Sequence, residues 1–269
     1  MAEATEERFR GVRWSLRNRL AEHPSLYLPI ARRKFPDAVL GPETQLLIEG
    51  FTRSAVTFAT IAFQLAQREP VRVAHTLHAV GHVIAAVERG VPSLVTIREP
   101  EEAVLSAVVR EPYVTIDRAL VAYTRFYSGI QPCLGSIVVG EFGAVVNDFG
   151  SVIRKINAKF GTSFDEFQHT EENVARCYEI IEDRARRPPW LRSLGLFQAG
   201  VIPYAEYREA ADRGDPGRDP LPIPERRVQR PSAERDALKD ALRAELHDAR
   251  LDTLRSKAIG AYERFVTAV

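Results

Sequence analysis

An α/β fold with a mostly parallel central sheet flanked by helices follows from three observations on this 269-residue chain. Short apolar runs rich in Val, Ile and Leu stand at 46–50, 71–77, 93–98 and 136–142. Between them lie stretches whose apolar residues recur three and four apart, the spacing of one helix face. The order strand, helix, strand, helix suits parallel neighbours, which need crossover connections. With 45% hydrophobic residues the chain is long enough for one large core.

The first segment, 6–34, is charged and aromatic with helical spacing through Phe9, Val12, Leu16 and Leu20, broken at His23-Pro24. It is expected to cover a sheet edge. Leu46-Leu47-Ile48 starts the first strand, and after Gly50 a helix buries Phe58, Ile61, Ala62 and Leu65, ending near Arg68. Val71 to Leu77 reads as the second strand, ending at His78. A short helix through Val83, Ile84 and Val87 stops at Gly90, and 93–98 is the third strand. Pro100 opens the next helix, where its missing N–H would be unsatisfied anyway. A longer helix covers 115–128, a strand 136–142, and Phe142, Val145, Phe149, Val152 and Ile156 form one amphipathic stripe. Residues 171–187 are helical. The stretch 187–231 holds eight prolines from Pro188 to Pro231 and few buried-type aliphatics after Ile202, the composition of a lid or binding loop. Helix resumes at Ser232, a good N-cap, and 232–269 is expected to pack on the core.

The stretch that carries chemistry is 50–57, Gly-Phe-Thr-Arg-Ser-Ala-Val-Thr, between the first strand and its helix. A loop so placed aims backbone N–H groups and the positive end of a helix dipole at whatever lies above the strand, which favours an anion. Against the triphosphatase pattern GxxxxGK[ST], Gly50 and Thr57 fit, while Ala55 replaces the second Gly and Val56 the Lys. The positive charge sits earlier, at Arg53. An ordinary strand-to-helix turn would read the same way. Two further polar groups end strands: His75-Thr76-Leu77-His78 after the second, and Arg98 with Ser106 after the third. In an open parallel sheet these three can face one crevice.

Charge and composition exclude several classes. Lys and Arg number 37 against 36 Asp and Glu, a net charge of +1, so nothing supports an extended nucleic-acid partner or an anionic membrane. Cys133 and Cys177 are too few for a disulfide framework or a thiolate metal site, and no uninterrupted apolar stretch of ~20 residues appears. The expected compartment is the cytoplasm.

A phosphate loop after the first strand, a His ending the second and Arg-x-Pro-x-x-x-x-x-Ser after the third together resemble the sulfotransferase family, whose members use 3′-phosphoadenosine 5′-phosphosulfate (PAPS). The resemblance covers roughly 45–160. It implies a three-layer sandwich of the P-loop type, a single domain over 1–269, and transfer of a sulfuryl group to a hydroxyl or amine of a small-molecule acceptor, without a metal. It places Gly50, Thr52, Arg53, Ser54, Ala55, Val56 and Thr57 around the 5′-phosphosulfate. It places Arg98 and Ser106 on the 3′-phosphate and makes His78 the catalytic base, with Arg53 neutralising the leaving group. The family's late Gly-x-x-Gly-x-x-Lys segment has no clear copy, and Arg230 beside a helix N-terminus is the expected substitute. Ala55 would strain the loop wherever that position needs positive φ.

Other readings of the same residues stay open. Arg98 with Glu99, Glu101 and Glu102 also fits a surface ion-pair cluster. His75, His78 and His82 also fit a metal site or packed polar residues, and His75 competes with His78 as the base. Tyr123, Arg125 and Tyr127 fit a helix face as well as acceptor contacts. The same fold could serve a nucleotide-binding protein without turnover, or a small-molecule kinase, which would need a loop Lys and a Mg²⁺ carboxylate. A homo-oligomer is left open.

Overall fold

The computed structural model describes residues 2–186, 192–213, 230 and 232–267. Strands β1 (Leu46–Gly50), β2 (Val73–His75), β3 (Ser93–Ile97) and β4 (Val138–Glu141) form one sheet in the order β2-β1-β3-β4. Every pair is parallel, with Ile48 against His75 and Leu94, and Thr96 against Gly140. Helices cover both faces, so the strands are buried on both sides and read as continuous apolar runs.

Alternation along the strands assigns the two layers. Leu46, Ile48, Val73, Leu94 and Val138 point to one face. There they meet α3 (Val56–Ala66), α7 (Phe142–Asn147), α8 (Phe149–Phe160), α9 (Glu171–Arg186), α10 (Arg192–Gln198) and α11 (Tyr204–Arg213). Leu47, Ala74, Val95, Ile97 and Val139 point to the other. That face is covered by α2 (Pro24–Lys34), α4 (Val80–Glu88), α5 (Pro100–Arg110), α6 (Ile116–Ile130) and α13 (Asp252–Val266), with Leu246 from α12 (Ala233–Leu246) and the partly buried Trp14 from α1 (Ala2–Leu20) joining their core. No described helix is long and apolar enough to cross a membrane.

Four sequence expectations are corrected. The N-terminal helices pack in the α4–α6 layer, and the outer edge of β2 is instead closed by two carbonyls, Ala199 O accepting from Val73 N (3.1 Å) and Ala38 O from His75 N (2.9 Å). The second strand stops at His75 rather than Leu77, because the N–H groups of Leu77 and His78 leave the ladder to donate to the Glu49 carboxylate. The stripe over 142–156 is two helices, broken where the Asp148 side chain caps α8 by accepting from Ser151 N. Within the stretch expected to be a loop, 192–213 forms α10 and α11, which bury Leu194, Phe197 and Tyr207 against α3 and α9. The rest of that segment, 187–191, 214–229 and 231, lies outside the described residues.

The topology sets one place apart. From β1 the chain leaves through α3 on one face, towards β2; from the adjacent β3 it leaves through α5 and α6 on the other, towards β4. Where neighbouring strands send their connections opposite ways, a crevice opens beyond their carboxyl ends, the usual ligand position in such sheets.

Candidate functional site

The loop at 51–55 begins at Gly50, where only glycine fits. A Cβ there would stand 2.5 Å from Thr96 O and 2.7 Å from Ser54 Oγ. Ser54 is fully buried behind the loop, donating to Phe51 O (2.5 Å) and lying 3.0 Å from Thr96 Oγ1, so its hydroxyl ties the loop to β3. Tyr127 does the same from α6, donating to Thr96 O (2.9 Å) and accepting from Phe51 N (3.4 Å). Tyr123 donates to Arg98 O (2.7 Å). The two tyrosines are therefore fixtures of the loop and the strand end, and burial raises the pKa of each phenol.

Arg53 and Ala55 both take left-handed backbone, φ 71° and 70°. Each costs about 1–2 kcal/mol for a residue with a Cβ. The position that the sequence marks as wanting glycine does need positive φ. Ala55 is also the cap of α3, and no side chain caps the first-turn N–H groups of that helix, so its positive end faces the crevice.

Arginines gather on the β3 side of the loop. Arg53 Nε donates to Ser106 Oγ (2.9 Å), and Arg235, from α12, donates to the same hydroxyl. Arg98 lies 4.1 Å over the Phe142 ring, donates to Glu102 Oε2 (3.0 Å) and reaches Arg53 O (3.4 Å). Burial lowers the pKa of Arg53 far below its ordinary value, and Arg235, Arg110 and Arg98 lower it further. Burial also leads the lowering at Arg98 and at Arg235, with like charges adding at Arg235. Glu102 is shared among Arg98, Lys239 and Arg243, with its own carboxyl pulled below the usual range, so α12 is docked on α5 by the same carboxylate that steadies Arg98. The cluster is a pocket of cations whose mutual repulsion an anion would relieve.

On the β2 side the organiser is Glu49, fully buried at the end of β1. Its carboxylate accepts from Leu77 N (2.7 Å), His78 N (3.0 Å), His82 Nδ1 (2.8 Å) and Gly50 N (3.3 Å). His82 Nε2 accepts from Leu40 N (3.0 Å), so its proton is on Nδ1. His82 is thus a packed polar residue with both nitrogens engaged. The turn that Glu49 holds contains two more left-handed residues, Thr76 (φ 57°) and His78 (φ 50°). His78 Nδ1 stands 2.8 Å from Gly50 O; a carbonyl only accepts, so Nδ1 carries a proton, and in the neutral ring the lone pair is then on Nε2. His75 is buried with Nδ1 2.8 Å from Thr76 Oγ1.

One cavity of about 950 Å³ joins these walls, at the upper end of the usual ligand-pocket range. Thr52, Arg53, Ala55, Val56, Thr57 and Arg98 line it, as do His75 and His78. Gly50, Ser54 and Ser106 do not: Gly50 is a close-packing position, and Ser54 and Ser106 are buried supports that face other protein groups. Arg230 pairs with Glu182 (2.9 Å) and lies over the ring of Tyr178, outside the lining. Arg125 forms a bidentate pair with Glu22 at the opposite rim (2.6 and 2.7 Å).

Sequence reading missed Glu49, Arg110 and Arg235. Glu49 had a signal: a carboxylate inside Leu-Leu-Ile-Glu-Gly must be buried, and a buried charge needs donors. Arg235 had none, since nothing local ties a helix so late in the chain to Ser106. No family model, curated protein or solved structure matches this chain. Chemically, the cavity offers a cation-rich end suited to an anion, a helix N-terminus beside it, and imidazoles on the β2 side.

Proposed function

We propose that this chain transfers a sulfuryl group from PAPS to a hydroxyl or amine of a small molecule. The observation that carries the reading is the gathering of Arg53, Arg98 and Arg235 about Ser106 at the switch point, in the same cavity that His78 lines. The arginines would take the 3′-phosphate, each by charge-assisted hydrogen bonds. Arg53 then belongs to that phosphate rather than to the sulfuryl end, and the α3 N-terminus with Thr52 and Thr57 takes the 5′-phosphosulfate. The acceptor oxygen or nitrogen attacks sulfur in line, and the bond from sulfur to the bridging oxygen of the 5′-phosphate breaks. The acceptor proton passes to His78 Nε2, and adenosine 3′,5′-bisphosphate leaves.

A nucleotide-binding protein without turnover is the second reading, favoured by Ala55 and Val56 in the loop and by the engagement of Arg53 with Ser106. A thermal-shift series with adenosine 3′,5′-bisphosphate, ADP with Mg²⁺, and buffer separates the readings. The bisphosphate is expected to give the largest shift; a larger one with ADP and Mg²⁺ would favour a kinase, and none with either would remove both nucleotide readings. Release of the bisphosphate from PAPS in the presence of acceptors then divides enzyme from binder. His78→Ala should lose most turnover at nearly unchanged bisphosphate affinity, and turnover within a few-fold of wild type would move the base to His75.

A further inference from the structure

We infer that Glu49 is a positioning residue: its carboxylate holds the 76–78 turn so that His78 presents Nε2, and not Nδ1, as its basic nitrogen. The inference rests on the donor set. All four groups meeting the carboxylate oxygens are N–H donors: Leu77 N and His82 Nδ1 on Oε1, His78 N and Gly50 N on Oε2. The His82 proton cannot move away from Glu49, because Leu40 N–H already occupies the other ring nitrogen. Glutamine has almost the same shape but would turn an NH₂ group towards one of these donors, so only a carboxylate satisfies the site.

The held turn accounts for the geometry of His78. Left-handed backbone at Thr76 and His78 is unfavourable for residues with a Cβ, and it persists where surrounding bonds over-determine it. Two of those bonds end on Glu49, and they bring the His78 ring to Gly50 O, the residue directly after Glu49. Releasing the N–H groups of Leu77 and His78 would free the turn to relax, and the bond from Nδ1 to Gly50 O would be lost with it. The significance for turnover rests on the sulfuryl-transfer reading; the tautomer does not.

The test is ¹⁵N-histidine NMR on the full chain, with two-bond ¹H–¹⁵N correlations reporting which ring nitrogen of each histidine is protonated. In wild type, His78 and His82 should both be protonated at Nδ1. In Glu49→Gln, His78 should move to the Nε2–H form or to an average of the two, with bisphosphate affinity within about threefold. Given a working acceptor, kcat should fall by about 10²-fold, the low end for a positioned base, with KM little changed. Glu49→Asp keeps two acceptor oxygens one methylene further away, and should retain more Nδ1–H population than Glu49→Gln. Wild-type His78 protonated at Nε2 would overturn the inference even if neither variant folds. So would a folded Glu49→Gln whose His78 pattern is unchanged. A wild type with the Nδ1 pattern but no turnover counts against the proposed reaction and leaves the positioning role standing.

Discussion

Arg53 and Arg235 donate to one and the same hydroxyl, that of Ser106, although they come from the loop after β1 and from α12. Two guanidiniums meeting on a neutral oxygen inside the protein is a costly arrangement, tolerable where burial and like charge are offset by an anion.

Replacing the shared acceptor should therefore expose that cost. Ser106→Ala leaves two buried donors without it, and should destabilise the free protein by about 1–3 kcal/mol in urea unfolding. Saturating adenosine 3′,5′-bisphosphate should recover part of the loss, since phosphate oxygens can replace the hydroxyl; equal losses with and without ligand would place Ser106 outside the ligand's influence.

Discrimination between adenosine 3′,5′-bisphosphate and AMP should depend on Arg98 and Arg235. Losing one charge-assisted contact costs about 1.5–3 kcal/mol. Arg98→Ala and Arg235→Ala should each narrow the affinity gap by calorimetry, while Arg230→Ala, whose guanidinium is spent on Glu182, should leave it open. Wild type that binds both ligands equally would defeat the assignment.

Ala55→Gly tests the strain in the loop. Relief of about 1–2 kcal/mol from the left-handed backbone is opposed by about 0.4–1 kcal/mol of added freedom in the unfolded chain. A net gain of several tenths of a kcal/mol is expected in denaturant unfolding. At Gly50 the reverse holds: an added Cβ meets a backbone carbonyl of β3, and Gly50→Ala should cost more than about 3 kcal/mol.

Alkaline stability should report Cys177. Burial pushes this thiol up to about 12 from an ordinary value of 9.0. The folded state then binds the proton more tightly, so the contribution is fully present below pH ~9, where thiols of the unfolded chain begin to ionise, and is lost as pH rises towards about 12. Stability measured from pH 8 to 11 should fall less steeply in Cys177→Ala than in wild type. Equal slopes would mean that the thiol titrates normally in the folded chain.

What the sequence disclosed follows the range of the interactions concerned. Val, Ile and Leu runs buried on both faces marked β1, β3 and β4, and Ser232 marked the start of α12, whose Arg235 N it receives at 3.2 Å. These are local signals. β2 ends before its apolar run does, because its end is decided by Glu49, distant in sequence. The helices α10 and α11 were hidden by Gly195, Gly200 and Pro203 among short apolar runs. At the candidate site, the place of Arg53, Arg98 and His78 on the cavity wall was legible because each follows a strand, whereas no local signal shows that Ser54 and Ser106 face protein groups rather than the cavity. Arg235 shows why the rest was not legible: its role exists only once α12 lies on α5.

That docking has a consequence for the order in which the chain becomes competent. Ser106 and Arg235 are 129 residues apart, so at about 5–20 residues per second a ribosome delivers the second roughly 6–26 s after the first. Throughout that interval β1, its loop, β3 and α5 can assemble with Arg53, Arg98 and Arg110 in place and the guanidinium of Arg235 still missing. On the proposed reading, a nascent chain in this state has only part of the phosphate site, and Arg235 joins it once α12 docks on α5. If the proposed phosphate site is right, a ligand there would stabilise molecules that include α12 more than those stalled short of it.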